Sequence, residues 1–167
     1  RISSPLDIIE FSNKHFFPVI VKPILGTGSD RATVLRNLDE VKLFIRNEKS
    51  FNDDYLTDLE IESFVEGVTY HVEGFVQEGK MVAAWPSVCI NHSIDLNKGK
   101  YLAHHHLSSQ SPMVKRLQDY TQLILDTLPT PKDTAFLLEV FHQEKNDEIV
   151  FCEIATRVGG GVKEMWT

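Results

Sequence analysis

At 167 residues, with 42% hydrophobic and 25% charged side chains, the chain can bury a core as one domain or as two small lobes sharing a cleft. Its 17 basic against 24 acidic residues give a net charge of −7, which argues against a general nucleic-acid or anionic-membrane surface and leaves room for a local basic pocket. Only Cys89 and Cys152 are present, both in apolar runs that read as buried reduced thiols, so a disulfide framework or a zinc site has little support and a cytoplasmic setting follows.

Taken in chain order, Leu6 to His15 carries apolar residues at helical spacing behind Ser4-Pro5, a start signal, and predicts a short helix. Phe17-Pro18-Val19-Ile20-Val21-Lys22-Pro23 is a β-branched strand, followed by a glycine-rich loop, Gly26-Thr27-Gly28-Ser29-Asp30. Thr33 to Asn47 has helical spacing at Val34, Leu38, Val41 and Ile45. Leu59 to Val65 reads as a strand that Glu66-Gly67 closes, and these two residues are the best lobe boundary. From Val68 to Ile90, two extended segments flank the turn composition Gln77-Glu78-Gly79-Lys80 and predict a β-hairpin.

Asn91 to Pro112 is polar and reads as a long loop. Met113 to Leu128 is an amphipathic helix, with Val114, Leu117, Tyr120, Leu123, Ile124 and Leu128 expected toward a core. A second hairpin follows, Ala135 to Phe141 and Ile149 to Ile154, joined by Glu144-Lys145-Asn146-Asp147-Glu148. Together these elements predict an α+β fold with mostly antiparallel strands. The chain opens on Arg1 rather than Met and stops at Met165-Trp166-Thr167 soon after a glycine run, so it is expected to be part of a longer protein.

Glu139 and Glu153 interrupt the two apolar runs of the second hairpin, and the hairpin brings them roughly opposite each other on one face. Two carboxylates so placed repel and lose hydration, a conflict that a divalent cation or a raised pKa resolves. Oxygen ligands favour Mg²⁺ or Mn²⁺ over zinc. The competing register puts both acids on the solvent face. Arg157, just before Gly159-Gly160-Gly161, would set a permanent cation and a flexible backbone beside the metal, or else pair with one of the acids.

Lys22 ends its strand where an ammonium could reach a phosphate held by loop amides. The loop itself lacks the Gly-Lys-Ser/Thr ending of a P-loop and contains no complete G-x-G-x-x-G. His104, His105 and His106 alternate in direction in an extended segment and supply at most two convergent ligands. His71, His92 and His142 stand isolated in sequence. No G-x-S-x-G elbow is present, which argues against a serine hydrolase.

In their order, Phe-Pro-Val-Ile-Val-Lys-Pro, the glycine loop, Glu-Ser-Phe-Val-Glu-Gly (62–67), a hairpin, a helix, Leu-Leu-Glu-Val-Phe (137–141) and Phe-Cys-Glu-Ile-Ala-Thr-Arg-Val-Gly-Gly-Gly (151–161) resemble the ATP-grasp superfamily, over about Phe17 to Gly161. The last motif looks most like that of the L-amino acid ligases related to carnosine synthase. The resemblance implies two α+β lobes, 1–66 and 67–167, with ATP in the cleft between them. It implies Lys22 on the phosphates, Gly26, Thr27, Gly28 and Ser29 folding over them, Glu62, Ser63, Phe64 and Val65 as the adenine hinge, and Glu139 and Glu153 as Mg²⁺ ligands.

The same resemblance gives Arg157 the γ-phosphoryl group as it moves to a substrate carboxylate, making an acyl phosphate that an amine attacks. The implied activity is that of an ATP-dependent carboxylate–amine ligase, with a non-catalytic ATP-binding module as the alternative. Its partners would be small-molecule carboxylate and amine substrates, the missing amino-terminal domain and a second copy in a homodimer, with no nucleic acid and no membrane. Three departures stand out. Ala155 takes the place of a common third metal ligand, Asn. Thr69 occupies the expected ribose acid position, leaving Glu66 or Glu73 as substitutes. The amino-terminal domain is absent, so the fragment is expected to be inactive or nearly so.

Overall fold

The computed structural model describes residues 1–26, 28–48, 58–92, 94–95 and 99–159. Their contacts divide the chain into two units, Arg1–Phe64 with Ser93–Tyr101, and Val65–His92 with Leu102–Thr167.

The first unit begins with α1 (Pro5–His15), which has proline in its first turn. The Asp7 carboxylate accepts the backbone N–H groups of Ser3 and Ser4 at 2.6 and 2.8 Å, satisfying donors that a helix start leaves open. Strand β1 (Val19–Pro23) is central in a three-stranded antiparallel sheet, between β2 (Thr33–Leu35) and β3 (Leu59–Ser63). Helix α2 (Leu38–Asn47) starts at Asn37, whose side-chain oxygen accepts the N–H groups of Asp39 and Glu40. Ile2, Ile8, Val19, Val21, Leu35, Val41, Leu59 and Ile61 form the core of this unit.

The helical spacing read from Thr33 onward is corrected here. Thr33, Val34 and Leu35 pair with Val21, Ile20 and Val19 as a strand, and the helix waits for its cap at Asn37. β-branched residues beside an open sheet edge gain ladder hydrogen bonds that an uncapped helical turn would not supply. The strand predicted to run to Val65 ends at Ser63.

The second unit is a five-stranded antiparallel sheet in the order β6-β5-β4-β7-β8. Its strands are β4 (Val68–Gln77), β5 (Lys80–Cys89), β6 (His104–His106), β7 (Thr134–Gln143) and β8 (Glu148–Ala155). Glu78 and Gly79 turn the first hairpin with φ of 52° and 76°, the left-handed pair that matches strand twist. Strand β6 lies inside the segment expected to be loop throughout.

Helix α3 (Pro112–Thr127) covers one face of this sheet through buried Leu117, Thr121 and Leu125. Leu117 and Leu125 join Val72, Val76, Phe136, Leu138 and Val140 in one core, and these sheet residues leave the sheet on that side. The i, i+4, i+8 stripe points Leu123 the other way, 58% exposed, against its expected core position. Thr121 tolerates the core position because its hydroxyl donates to the Leu117 carbonyl at 2.7 Å. The opposite face carries the residues of chemical interest.

Candidate functional site

Glu139 and Glu153 are direct cross-strand partners on β7 and β8. Pairing near the turn runs Gln143↔Glu148 to Val140↔Phe151, then shifts by one residue to Glu139↔Glu153, leaving Cys152 as the extra residue of β8. Because side chains alternate faces, an unshifted ladder would set Glu139 against Cys152 and turn Glu153 to the other side. The irregularity therefore brings the two carboxylates to one face. Glu139 is half-buried and Glu153 exposed. Carboxylates offer oxygen donors only, the type that Mg²⁺ and Mn²⁺ take.

The polar row continues across the sheet. Register places His71 of β4 directly beside Glu139, and the His71 Nε2 to Glu139 Oε1 distance is 3.4 Å. Beyond it on β5 and β6 lie Ser87, opposite His71, and Cys89, opposite His104. Burial pulls the His71 pKa down, but hydrogen bonding to Cys89 and Glu139 and their negative charge outweigh it and raise the value to about 10. His104 is pushed the other way, first by burial and then by the neighbouring His71 charge. Glu73, two residues along β4 on the same face, is 5% exposed.

Lys22 sits in the first unit, with its ammonium 2.9 Å from Glu62 Oε2 and 3.7 Å from Glu60 Oε1, both on β3. Glu62 thus meets Lys22, and Ser63 ends the strand. The Phe64 N–H donates to the Pro18 carbonyl at 3.1 Å, and Val65 opens the second unit. In the glycine loop, Gly28 and Ser29 have φ of 64° and 59°, and the Ala32 N–H closes back on the Ser29 carbonyl. Gly26 is exposed, and Thr27 lies outside the described residues. A left-handed pair curls the backbone in a way that a side chain at Gly28 would oppose by strain, although the space around it is open.

Arg157 is exposed just beyond β8 and donates from Nη1 to the Val158 carbonyl at 3.1 Å; Gly160 and Gly161 lie outside the described residues. Ala155 pairs with Leu137 on the same face as Glu153. Thr69 is buried with its hydroxyl 2.7 Å from His92 Nδ1, while Glu66 is exposed. Sequence reading missed His71 and Cys89 as site residues. The available signal was their polarity at alternating positions of strands that otherwise carry apolar residues.

No family model matches the sequence, and no curated protein does. Solved structures do share its fold. The biotin carboxylase domain of Hydrogenobacter thermophilus 2-oxoglutarate carboxylase, in complex with MgADP, ADP and bicarbonate, aligns with a TM-score of 0.73 at 16% identity over 96% of this chain and 35% of that one. Aspergillus clavatus carboxyaminoimidazole ribonucleotide synthase complexed with ATP gives 0.71 at 12% identity, covering 94% and 38%. The L-amino acid ligase of Bacillus licheniformis gives 0.63 at 16%, covering 90% and 34%. The chain thus spans little more than a third of the length of these proteins, and it has the α+β ATP-grasp fold.

Proposed function

Proceeding from the ATP-grasp fold, we propose that this chain is the ATP-binding catalytic region of an ATP-dependent carboxylate–amine ligase acting on amino acids through an acyl phosphate. The observation that carries the proposal is the direct pairing of Glu139 with Glu153 on the face of the second unit's sheet opposite α3. A bound Mg²⁺ there would neutralise phosphate charge as the γ-phosphoryl group transfers. Two solved structures of this fold that contain ATP or MgADP support the choice of nucleotide.

Within the proposal, 1–66 is the small lobe and 67–167 the large one. Lys22, held by Glu62 and Glu60, orients toward nucleotide phosphates, and Gly26, Thr27, Gly28 and Ser29 cover them with backbone N–H groups. Glu62, Ser63, Phe64 and Val65 meet the adenine ring. Arg157 steadies the transferring phosphoryl group, and its guanidinium suits a planar array of oxygens. A carboxylate is a poor electrophile, and phosphorylation gives it a leaving group that an amine can displace. The carboxylate and amine bind with the help of a further domain of a longer protein, and the assembled enzyme works in the cytoplasm, where cysteines such as Cys89 and Cys152 stay outside disulfides.

Calorimetry with ATP, with and without Mg²⁺, tests this on the native chain and on Lys22→Ala and Glu153→Ala. The expected result is binding that requires Mg²⁺ and weakens at least about tenfold in each variant, the loss of one charge-assisted contact. Mg²⁺-independent binding, or unchanged affinity in Glu153→Ala, would overturn the metal assignment. Ala155, at the position of a common third metal ligand, favours a second reading as a non-catalytic ATP-binding module. Nucleotide binding without ATP turnover in the complete protein, supplied with amino acids, would select it.

A further inference from the structure

On the same sheet face, His71, Cys89 and His104 each offer one ligand atom, and these atoms all lie within 4.8 Å of one another. Sheet pairing builds the cluster. Cys89 is directly opposite His104 across β5 and β6, and His71 is opposite Ser87, two residues from Cys89 and therefore on the same side. Cys89 is 8% exposed and the His71 side chain 13%. The His71 and His104 rings stand 5.6 Å apart, and His104 Nδ1 is buried with no hydrogen-bond partner among the described residues. Leaving a buried polar atom unsatisfied is costly, so a group that satisfies it has a driving force.

We propose that His71, Cys89 and His104 bind a single Zn²⁺ ion at a site separate from the Glu139–Glu153 pair. Two imidazoles and one thiolate are the donor set of a borderline-soft ion, whereas Mg²⁺ takes oxygen. Three protein ligands leave the fourth tetrahedral position for water or a small ligand. Donors no more than 4.8 Å from one another are within reach of one ion at bonds of about 2.0–2.3 Å once the side chains rotate to face it. Binding displaces two protons, one from the Cys89 thiol and one from the His71 imidazolium, so that both imidazoles ligate in the neutral form. Glu139, beside His71 Nε2, is placed to orient that imidazole, as carboxylates do for ligating histidines.

This inference draws on the second unit alone and does not depend on nucleotide binding. The chain is stripped with chelator under reducing conditions and titrated with Co²⁺, followed by Zn²⁺. The expected result is one equivalent of Co²⁺ with a thiolate-to-cobalt charge-transfer absorption, displaced by Zn²⁺. Cys89→Ser abolishes the band, His104→Gln weakens Zn²⁺ binding about 100-fold or more, beyond the usual loss from an outer partner, and Cys152→Ser leaves the band in place. A folded native chain without the band overturns the site, whatever the variants do. So does Zn²⁺ binding that survives Cys89→Ser but is lost in Glu153→Gln, because the ion then belongs to the carboxylate pair.

Discussion

His142 and Asp147 at the second hairpin's turn show how a single exposed residue can tie elements together. Asp147 Oδ1 accepts from Arg116 Nη1 at 2.7 Å and lies 2.8 Å from His142 Nε2, while Arg116 Nη2 donates to the Asp147 carbonyl. Arg116 is on α3, so the contact fastens the turn to the helix that covers the sheet. The arginine hydrogen bond, with that of His142, holds the Asp147 carboxyl below its ordinary value of 3.8. A depressed folded pKa contributes stability that is fully present above the ordinary value and is lost as pH falls through the folded one. Asp147→Asn is therefore expected to remove a small stabilisation at neutral pH and to flatten the acid limb of a stability–pH profile measured by urea denaturation. An unchanged acid limb would mean that the contact does not persist in solution.

Glycine and cap positions make predictions at the level of elements. A side chain at Gly74, in the middle of β4, would place its Cβ 2.2 Å from the Ala83 carbonyl oxygen and 2.5 Å from the Phe136 ring. The strand cannot yield without disturbing the β4–β5 ladder, so Gly74→Ala should cost about 1–3 kcal/mol or more, measurable as a fall in the denaturation midpoint. Asn37→Ala, which removes the α2 cap, is expected to cost about 1 kcal/mol by the same measurement. The second hairpin carries the larger lesson. Its existence, turn and glutamates were legible as two apolar runs around a polar linker, but the one-residue shift that puts Glu139 and Glu153 on one face was not. A register shift depends on how β8 fits against β7, and no local periodicity encodes it.

Among the described residues, two cores are built from separate residue sets, one around Val19, Val21 and Val41, the other around Val72, Leu138 and Leu117. Leu138→Ala should cost about 2–5 kcal/mol in the second core. Amide exchange is expected to accelerate through β4, β5 and β7 while protection in β1 and β3 is retained. Equal loss of protection in both sheets would show that the units unfold as one.

The amino-acid sequence alone determined the α+β class, both hairpins, the order of the ATP-grasp motifs and a glutamate in each strand of the second hairpin, because turn chemistry and apolar runs are local properties of the chain. Tertiary structure decided what long-range pairing controls. It placed Thr33–Leu35 in a sheet instead of a helix, brought Glu62 to Lys22, and gathered His71, Cys89 and His104 from three strands into one cluster. Residues so far apart in sequence meet only when strand order and register are set, and those are fixed by the competition among all possible pairings for one buried face.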